Sequence, residues 1–159
     1  MSTTNLTGPL EVGDPALSTL EKAPYRTPTD SRFVGQNTIK RTISGSTATS
    51  GIVLAVPNPE GMVVLVERAM LYVRTASSGA STLDIGVAAN ATTSSDNLID
   101  GRSGAVVGLY DNITDGGTNG KSRQLLQSGG YVTVTVASGD ITGLVADVFV
   151  TYDLLTPGS

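Results

Sequence analysis

The stretch GYVTVTVA, residues 130–137, alternates apolar and polar side chains along most of its length. In a β-strand its valines would point to one face and its threonines to the other. The stretch LVADVFVTYDLL, residues 144–155, repeats this alternation, with Phe149 as an exception on its polar face. A period of two predicts antiparallel strands with one face buried in a core.

Further segments with strand composition fill the chain on the N-terminal side of these two, and turn residues separate them at short intervals. They are residues 38–44, 51–56, 62–74, 81–88, 104–110 and 121–127. About eight short strands predict an all-β fold, an antiparallel β-sandwich. The preferred topology is an eight-stranded jelly roll, and the alternative is an immunoglobulin-like sandwich. In segment 62–74, the pair Glu67-Arg68 interrupts the apolar pattern and predicts a β-bulge or a subunit contact.

Residues 1–37 lack the strand pattern of the rest of the chain. Their composition predicts an extended N-terminal arm on a β-sandwich domain that spans residues 38–159. The arm contains four prolines, each of which fixes its own φ and removes a backbone donor. Residues 14–22 predict a short helix, since Asp14 suits the N-cap and Pro15 the first helical position. So short a helix would form only when docked. The isolated apolar residues of the arm are the predicted contacts with a partner: Leu6, Leu10, Val12, Leu17, Leu20, Tyr25 and Phe33. The alternative is a tail without a partner.

Composition disfavours several functional classes. The net charge is -4, which provides no electrostatic footprint for DNA or RNA. The chain has no histidine and no cysteine, so the ordinary catalytic triad, disulfides and thiolate sites are all missing. It has no tryptophan to serve as a platform for a sugar. We therefore expect no enzymatic activity, no cofactor and no nucleic-acid partner.

Hydropathy adds an expectation about location. No stretch approaches the roughly 20 apolar residues of a membrane-spanning helix, and the first residues lack the apolar region of a signal peptide. We expect synthesis in a cytoplasm and no membrane partner.

Two similar aspartate-rich stretches, residues 96–101 and 111–116, lie 15 residues apart. Asp-Asn and Asp-Gly pairs favour turns, so two turns flanking one strand are the preferred interpretation. The alternative is a calcium site, although neither copy has the ligand spacing of an EF-hand loop. Its candidate ligands are Asp96, Asp100, Asp111 and Asp115.

The stretch GGTNGKS, residues 116–122, imitates a phosphate-binding loop. The motif requires a glycine where this chain has Asp115, whose charge would repel a phosphate. A turn that leads into a strand is the preferred interpretation.

The same region resembles a known protein family. The resemblance rests on SSDNLIDG at 94–101, DNITD at 111–115 and GTNGK at 117–121, extends to SGD at 138–140 and GLV at 143–145, and covers about residues 62–155. These stretches resemble the head decoration, or capsid cement, proteins of tailed bacteriophages. The resemblance implies a structural virion protein on the exterior of the capsid, made in the host cytoplasm. It also implies two partners, the major capsid protein and further copies of the chain in a homotrimer.

Two alternatives from other classes remain open. A fibre or tail-tip module would bind a host receptor or glycan and would be scarce in the particle, whereas a decoration protein would approach the copy number of the capsid protein. A small-molecule-binding β-barrel would be a monomer with an apolar cavity.

Overall fold

The computed structural model describes residues 37–45 and 50–155, which form nine β-strands and no helix. The strands are β1 (Asn37–Ser44), β2 (Gly51–Pro57), β3 (Val64–Thr75), β4 (Ser81–Ala88), β5 (Ile99–Ser103), β6 (Gly108–Asp111), β7 (Gln124–Leu126), β8 (Tyr131–Gly139) and β9 (Val145–Leu154). The predicted arm lies outside the described residues except for Asn37, where β1 begins.

Eight of the nine strands form the wrapped hairpin of a jelly roll. Antiparallel pairs join β1 to β9, β2 to β8, β3 to β6 and β4 to β5. In chain order, therefore, the first strand pairs with the last, and each later pair lies between the members of the pair before it. Further pairing gives sheet A, in the order β1-β9-β3-β6, and sheet B, in the order β2-β8-β4-β5. This is the predicted jelly-roll sandwich rather than the immunoglobulin-like alternative. The short strand β7 pairs with β3 and is an addition to the eight.

The core lies between the sheets and follows the alternation of the sequence. The valines of β8 at 132, 134 and 136 are buried, as are the residues of β9 at 146, 148, 150 and 152. Each fully buried valine, leucine or isoleucine side chain contributes about 1.5–3 kcal/mol of transfer free energy. The largest fully buried side chains are Leu71, Leu83, Ile85, Leu98, Ile99, Ile141 and Leu144.

The prediction of a single strand over residues 104–110 is wrong. β5 ends at Ser103 and β6 begins only at Gly108, and the residues between them cross from sheet B to sheet A. A crossover has to leave the hydrogen-bonded ladder, so Val106 and Val107 are exposed despite their strand composition. β5 begins at Ile99, inside the stretch 96–101 whose composition predicts a turn, because Leu98 and Ile99 are fully buried in the core.

The predicted bulge at Glu67-Arg68 is confirmed. The register between β3 and β9 shifts between Val66 and Arg68. Val66 and Ala69 are both fully buried, with two residues instead of one between them. The bulge therefore places both charged side chains outside the core.

Asn112 completes one edge of β3. β7 pairs with the first part of β3 and β6 with its last part, which leaves a gap between them. The backbone N–H of Ala69 donates to Asn112 Oδ1 at 2.9 Å, and the Asn112 backbone N–H donates to the Ala69 carbonyl at 3.1 Å. The side-chain amide donates to carbonyls on both sides of the gap, including those of Glu67 and Ser122. This buried amide replaces the missing strand pairing.

We predict that Asn112→Ala destabilises the protein. The substitution leaves the Ala69 N–H and the facing carbonyls buried without partners, at a cost of about 1–3 kcal/mol for an unsatisfied group. Urea unfolding followed by circular dichroism measures the loss. Asn90→Ala is the matched control, because the Asn90 side chain is exposed and its partners can bond to water. Equal midpoints for the two variants would contradict the role of Asn112.

Candidate assembly surface

The contacts predicted from the arm lie outside the described residues and remain a prediction. They are Leu6, Leu10, Val12, Leu17, Leu20, Tyr25 and Phe33.

The described domain has a surface of its own. Within residues 37–45 and 50–155 no helix is long and apolar enough to cross a membrane.

Exposed apolar side chains concentrate along one edge of sheet A. Leu109 of β6 is 60% exposed and stands opposite Tyr72 of β3 in the antiparallel register. Leu125 of β7 is 50% exposed and stands opposite Leu65. We define the apolar edge as Tyr72, Val106, Val107, Leu109, Ile113 and Leu125. Among the described residues, Leu155 is the only large apolar side chain with comparable exposure outside it. Clustering of this kind is typical of an interaction surface.

Two ion pairs divide the apolar edge near its middle. Arg68 lies 3.5 Å from Asp111, and Arg123 lies 2.8 Å from Glu67. Pairs that are this exposed contribute about 0–1 kcal/mol to stability. Their larger effect is to give the edge a fixed polar position between two apolar ends, which would favour one docking register over others.

The opposite edge of sheet A is basic. β1 carries Lys40 and Arg41, which are both exposed. Arg41 stands opposite Val148, a buried residue, so the arginine occupies a position in the inward-facing row of the strand. A charge at such a position discourages the addition of another strand. The two edges of sheet A therefore differ in chemistry, one apolar and one charged.

Asp147 links three strands on the outer face of sheet A. Its carboxylate accepts a hydrogen bond from Thr42 Oγ1 at 2.7 Å, and it lies 3.1 Å from Lys40 Nζ and 3.0 Å from Arg74 Nε. Lys40 also lies over the ring of Phe149, 5.5 Å from its centroid. The hydrogen bond from Thr42, followed by Lys40 and Arg74, lowers the pKa of Asp147 below its ordinary 3.8. This Asp147 cluster joins β1 and β3 across β9.

The aspartates of the two similar stretches stabilise turns. Asp111 Oδ1 accepts the backbone N–H groups of Ile113 and Thr114, both at 2.8 Å. Asp115 Oδ2 accepts the backbone N–H of Asp111 at 3.2 Å. These bonds agree with the interpretation as turns.

The loop that follows the second stretch packs against the first stretch. Asp100 Oδ2 accepts the backbone N–H of Asn119, and Asp96 Oδ2 accepts the Asn119 side-chain amide. Within the described ranges no group of three or more acidic side chains is arranged to hold a metal ion.

The stretch that imitates a phosphate-binding loop also forms turns. Gly117 has a φ of 75°, and the Lys121 backbone N–H donates to the Asn97 carbonyl at 3.0 Å. The chain then continues into β7 rather than into a helix. The phosphate-binding motif requires a helix N-terminus at this point, so its geometry is missing.

The apolar edge does not follow from the sequence pattern, which places Val106 and Val107 in a strand over residues 104–110. A signal was present, since Gly104 and Gly108 bracket the pair. Glycines on both sides of a short apolar run are more typical of a connection than of a strand interior.

Solved structures of phage capsids contain chains with a similar fold. One is in the capsid of Ralstonia phage GP4, with a TM-score of 0.55 and 19% identity over 77% of this chain and 86% of that chain. Another is in the acidic stable capsid structure of Helicobacter pylori bacteriophage KHP30, with a TM-score of 0.50 and 12% identity over 76% of this chain and 89% of that chain. At these identities the likeness is one of fold. No protein-family profile matches the sequence, and no curated protein does.

The Asp147 cluster predicts a specific dependence of stability on pH. Because the folded pKa of Asp147 is lowered, the cluster stabilises the fold fully above the unfolded pKa and loses that effect as the pH falls through the folded pKa. Asp147→Asn should lower the melting temperature at neutral pH. The difference from the unmodified protein should shrink as the pH falls below the ordinary aspartate pKa of 3.8. Thermal melts at a series of pH values test this. Asp153→Asn is the matched control on the same strand, and a pH-independent difference for Asp147→Asn would contradict the prediction.

Proposed function

We propose that the protein is a structural component of a phage virion, specifically a capsid decoration protein that binds the outside of the head and stabilises contacts between capsid subunits. The observation that carries the proposal is the jelly-roll fold shared with chains of two phage capsid structures, over about three quarters of this chain and most of those chains. The resemblance of residues 94–124 to head decoration proteins points the same way.

The charge of the chain favours the exterior of the head. A net charge of -4 gives no attraction to packaged DNA. Most basic residues of the described domain also form ion pairs with carboxylates. Lys40 and Arg74 lie against Asp147, and Arg68, Arg102 and Arg123 each pair with a carboxylate. A role in assembly rather than catalysis also agrees with a chain that lacks histidine and cysteine.

The arm is the proposed contact with the major capsid protein. Fully extended, residues 1–37 would reach at most about 120 Å, far enough to cross neighbouring subunits. Several weak apolar contacts on one tether bind far more tightly together than singly, because each contact raises the effective concentration of the next. The arm would thus supply retention on the shell while the folded domain remains on the surface.

The apolar edge is the proposed contact between copies of the chain in a homotrimer. In a cyclic trimer each copy meets its two neighbours through two different surfaces. The apolar edge would be one of these two surfaces, and a different part of the neighbouring copy would be the other. Three surface grooves of the described domain have no aromatic side chain in their linings, so these grooves do not favour the alternative of a fibre or tail-tip module.

The number of copies in each particle tests the proposed function. We expect a copy number close to that of the major capsid protein, measured by quantitative mass spectrometry of purified virions. Gentle removal of the protein should leave intact heads that are less resistant to heat. A few copies per particle would overturn the decoration role and favour a fibre module.

Charged substitutions in the apolar edge should dissociate the trimer. Val107 and Leu109 are each more than half exposed, so Val107→Asp with Leu109→Asp should leave the fold intact. The two side chains would each contribute about 1.5–3 kcal/mol if they were buried between copies, so the trimer should weaken at least about tenfold. Light scattering measures this directly. The control is Thr92→Asp with Gln127→Asp, at exposed positions elsewhere. If the two double variants have the same mass in solution, the apolar edge is not part of the interface between copies.

Removal of the arm should weaken binding to the capsid without unfolding the domain. A variant without residues 1–36 should keep the β-type circular dichroism spectrum and melt cooperatively, since the described domain has its own core. Its binding to heads stripped of this protein should weaken by orders of magnitude. Leu17→Ser with Leu20→Ser in the full chain should cause part of this loss if the predicted helix docks. Unchanged binding of the truncated protein would show that the arm makes no contact of consequence.

A further inference from the structure

A groove lies beside a loop on the outer face of sheet B, away from the apolar edge. The connection from β4 to β5 folds over this face, where Thr133 Oγ1 donates to the Thr93 carbonyl at 3.2 Å. The connection lies so close that a side chain at Gly86 would clash with Ser95, with atoms at 2.4–2.6 Å. Glycine at 86 is what allows the loop to reach the sheet.

The groove beside this loop has a volume of about 420 Å³. Polar residues make up most of its lining: Asp84, Ser94, Ser95, Asp96 and Thr135, with Val136 and Ala137. A second groove of about 540 Å³ shares Ser94 and Thr135 and extends toward β2. We refer to the first of these as the acidic groove.

Thr135 lies at the base of the acidic groove with its hydroxyl unsatisfied. Its residue is only 7% exposed, and Thr135 Oγ1 is buried without a hydrogen-bond partner among the described residues. It is the only buried side-chain polar atom of the described domain in this situation. Burial of an unpaired hydroxyl costs about 1–3 kcal/mol, so a native structure rarely retains one without a reason.

Two carboxylates line the groove, a third lies near one of them, and none of the three is paired with a cation in the described residues. Asp84 stands directly opposite Thr135 in the ladder between β4 and β8, and Asp96 lies on the covering loop. Neither these two nor the nearby Asp100 forms an ion pair within the described ranges, whereas Asp111, Asp115 and Asp147 each do. Burial, followed by the negative charges of Asp100 and Asp96, raises the pKa of Asp84 above its ordinary value.

We propose that the acidic groove binds an arginine side chain of a partner protein. A guanidinium carries five N–H donors in a fixed fork, and the groove offers carboxylate and hydroxyl oxygens that can accept them. The cation would neutralise the charge around Asp84, and one of its N–H groups would satisfy Thr135 Oγ1. Charge complementarity and the unpaired hydroxyl thus favour the same ligand.

Other ligands fit this groove less well. No group of three or more acidic residues is arranged for a metal ion in the described parts of the chain. A sugar usually stacks on an aromatic ring, and the lining contains none. A lysine would supply the charge, but its ammonium lacks the planar fork that can reach two acceptors on different strands.

Nuclear magnetic resonance tests the proposal with the full chain labelled with ¹⁵N. The probe is the capped tripeptide Gly-Arg-Gly, and the same peptide with glutamine in place of arginine is the neutral control. We expect saturable shifts of the backbone amides of Asp84, Ser94 and Thr135 with the arginine peptide only, and weaker binding at higher salt. Absence of saturation, or equal shifts with the glutamine peptide, would overturn the proposal. So would shifts of these amides with maltotriose and none with the arginine peptide.

Three variants assign the effect to the groove. Asp84→Asn keeps an oxygen that can accept the Gly101 N–H but removes the charge, and it should weaken arginine binding about tenfold or more. Asp153→Asn removes the same charge from sheet A and should leave binding unchanged. Thr135→Val should weaken binding while raising the melting temperature, because it removes the unpaired hydroxyl. Equal affinity in Asp84→Asn and Asp153→Asn, or unchanged affinity in Thr135→Val, would show that the arginine binds elsewhere.

Discussion

The antiparallel pairing of β3 with β9 is the contact on which the rest of the molecule depends. Val64 pairs with Leu154 at one end of this ladder and Thr75 with Val145 at the other. Its strands are about 80 residues apart in the chain, so the ladder closes the whole wrapped hairpin and forms the centre of sheet A. The inward residues of both strands are almost completely buried and provide much of the core. With no cysteine to form a disulfide, packing along this ladder has to hold the fold.

Polar groups on both sides of this ladder fix the neighbouring strands. On one side Asp147 joins β1 to β3 through Thr42, Lys40 and Arg74. On the other side Asn112 bridges the gap between β6 and β7. Both groups are buried and both have several partners, which is the condition under which a buried polar group stabilises rather than destabilises. They also determine what the edges of sheet A present to a neighbouring molecule.

The domain thus has two surfaces suited to different partners. The apolar edge of sheet A would gain free energy by leaving water, which favours permanent contact between copies of the chain. The acidic groove of sheet B would instead recognise one charged side chain, which favours specificity. This division places the two proposed contacts on opposite sheets, where they can be occupied at the same time.

Local sequence signals were enough to predict some of the strands. The alternation in β8 and β9 predicted their positions and buried faces, and Glu67-Arg68 predicted the bulge, because each of these signals lies within one strand. The departure of Val106 and Val107 from the sheet could not be predicted locally, since a crossover depends on where two other strands end. Folding also brings Asn112 to Ala69 and Asp84 to Thr135, pairs that are more than 40 residues apart. Such contacts follow from the closure of the two sheets, and no spacing along the chain encodes them.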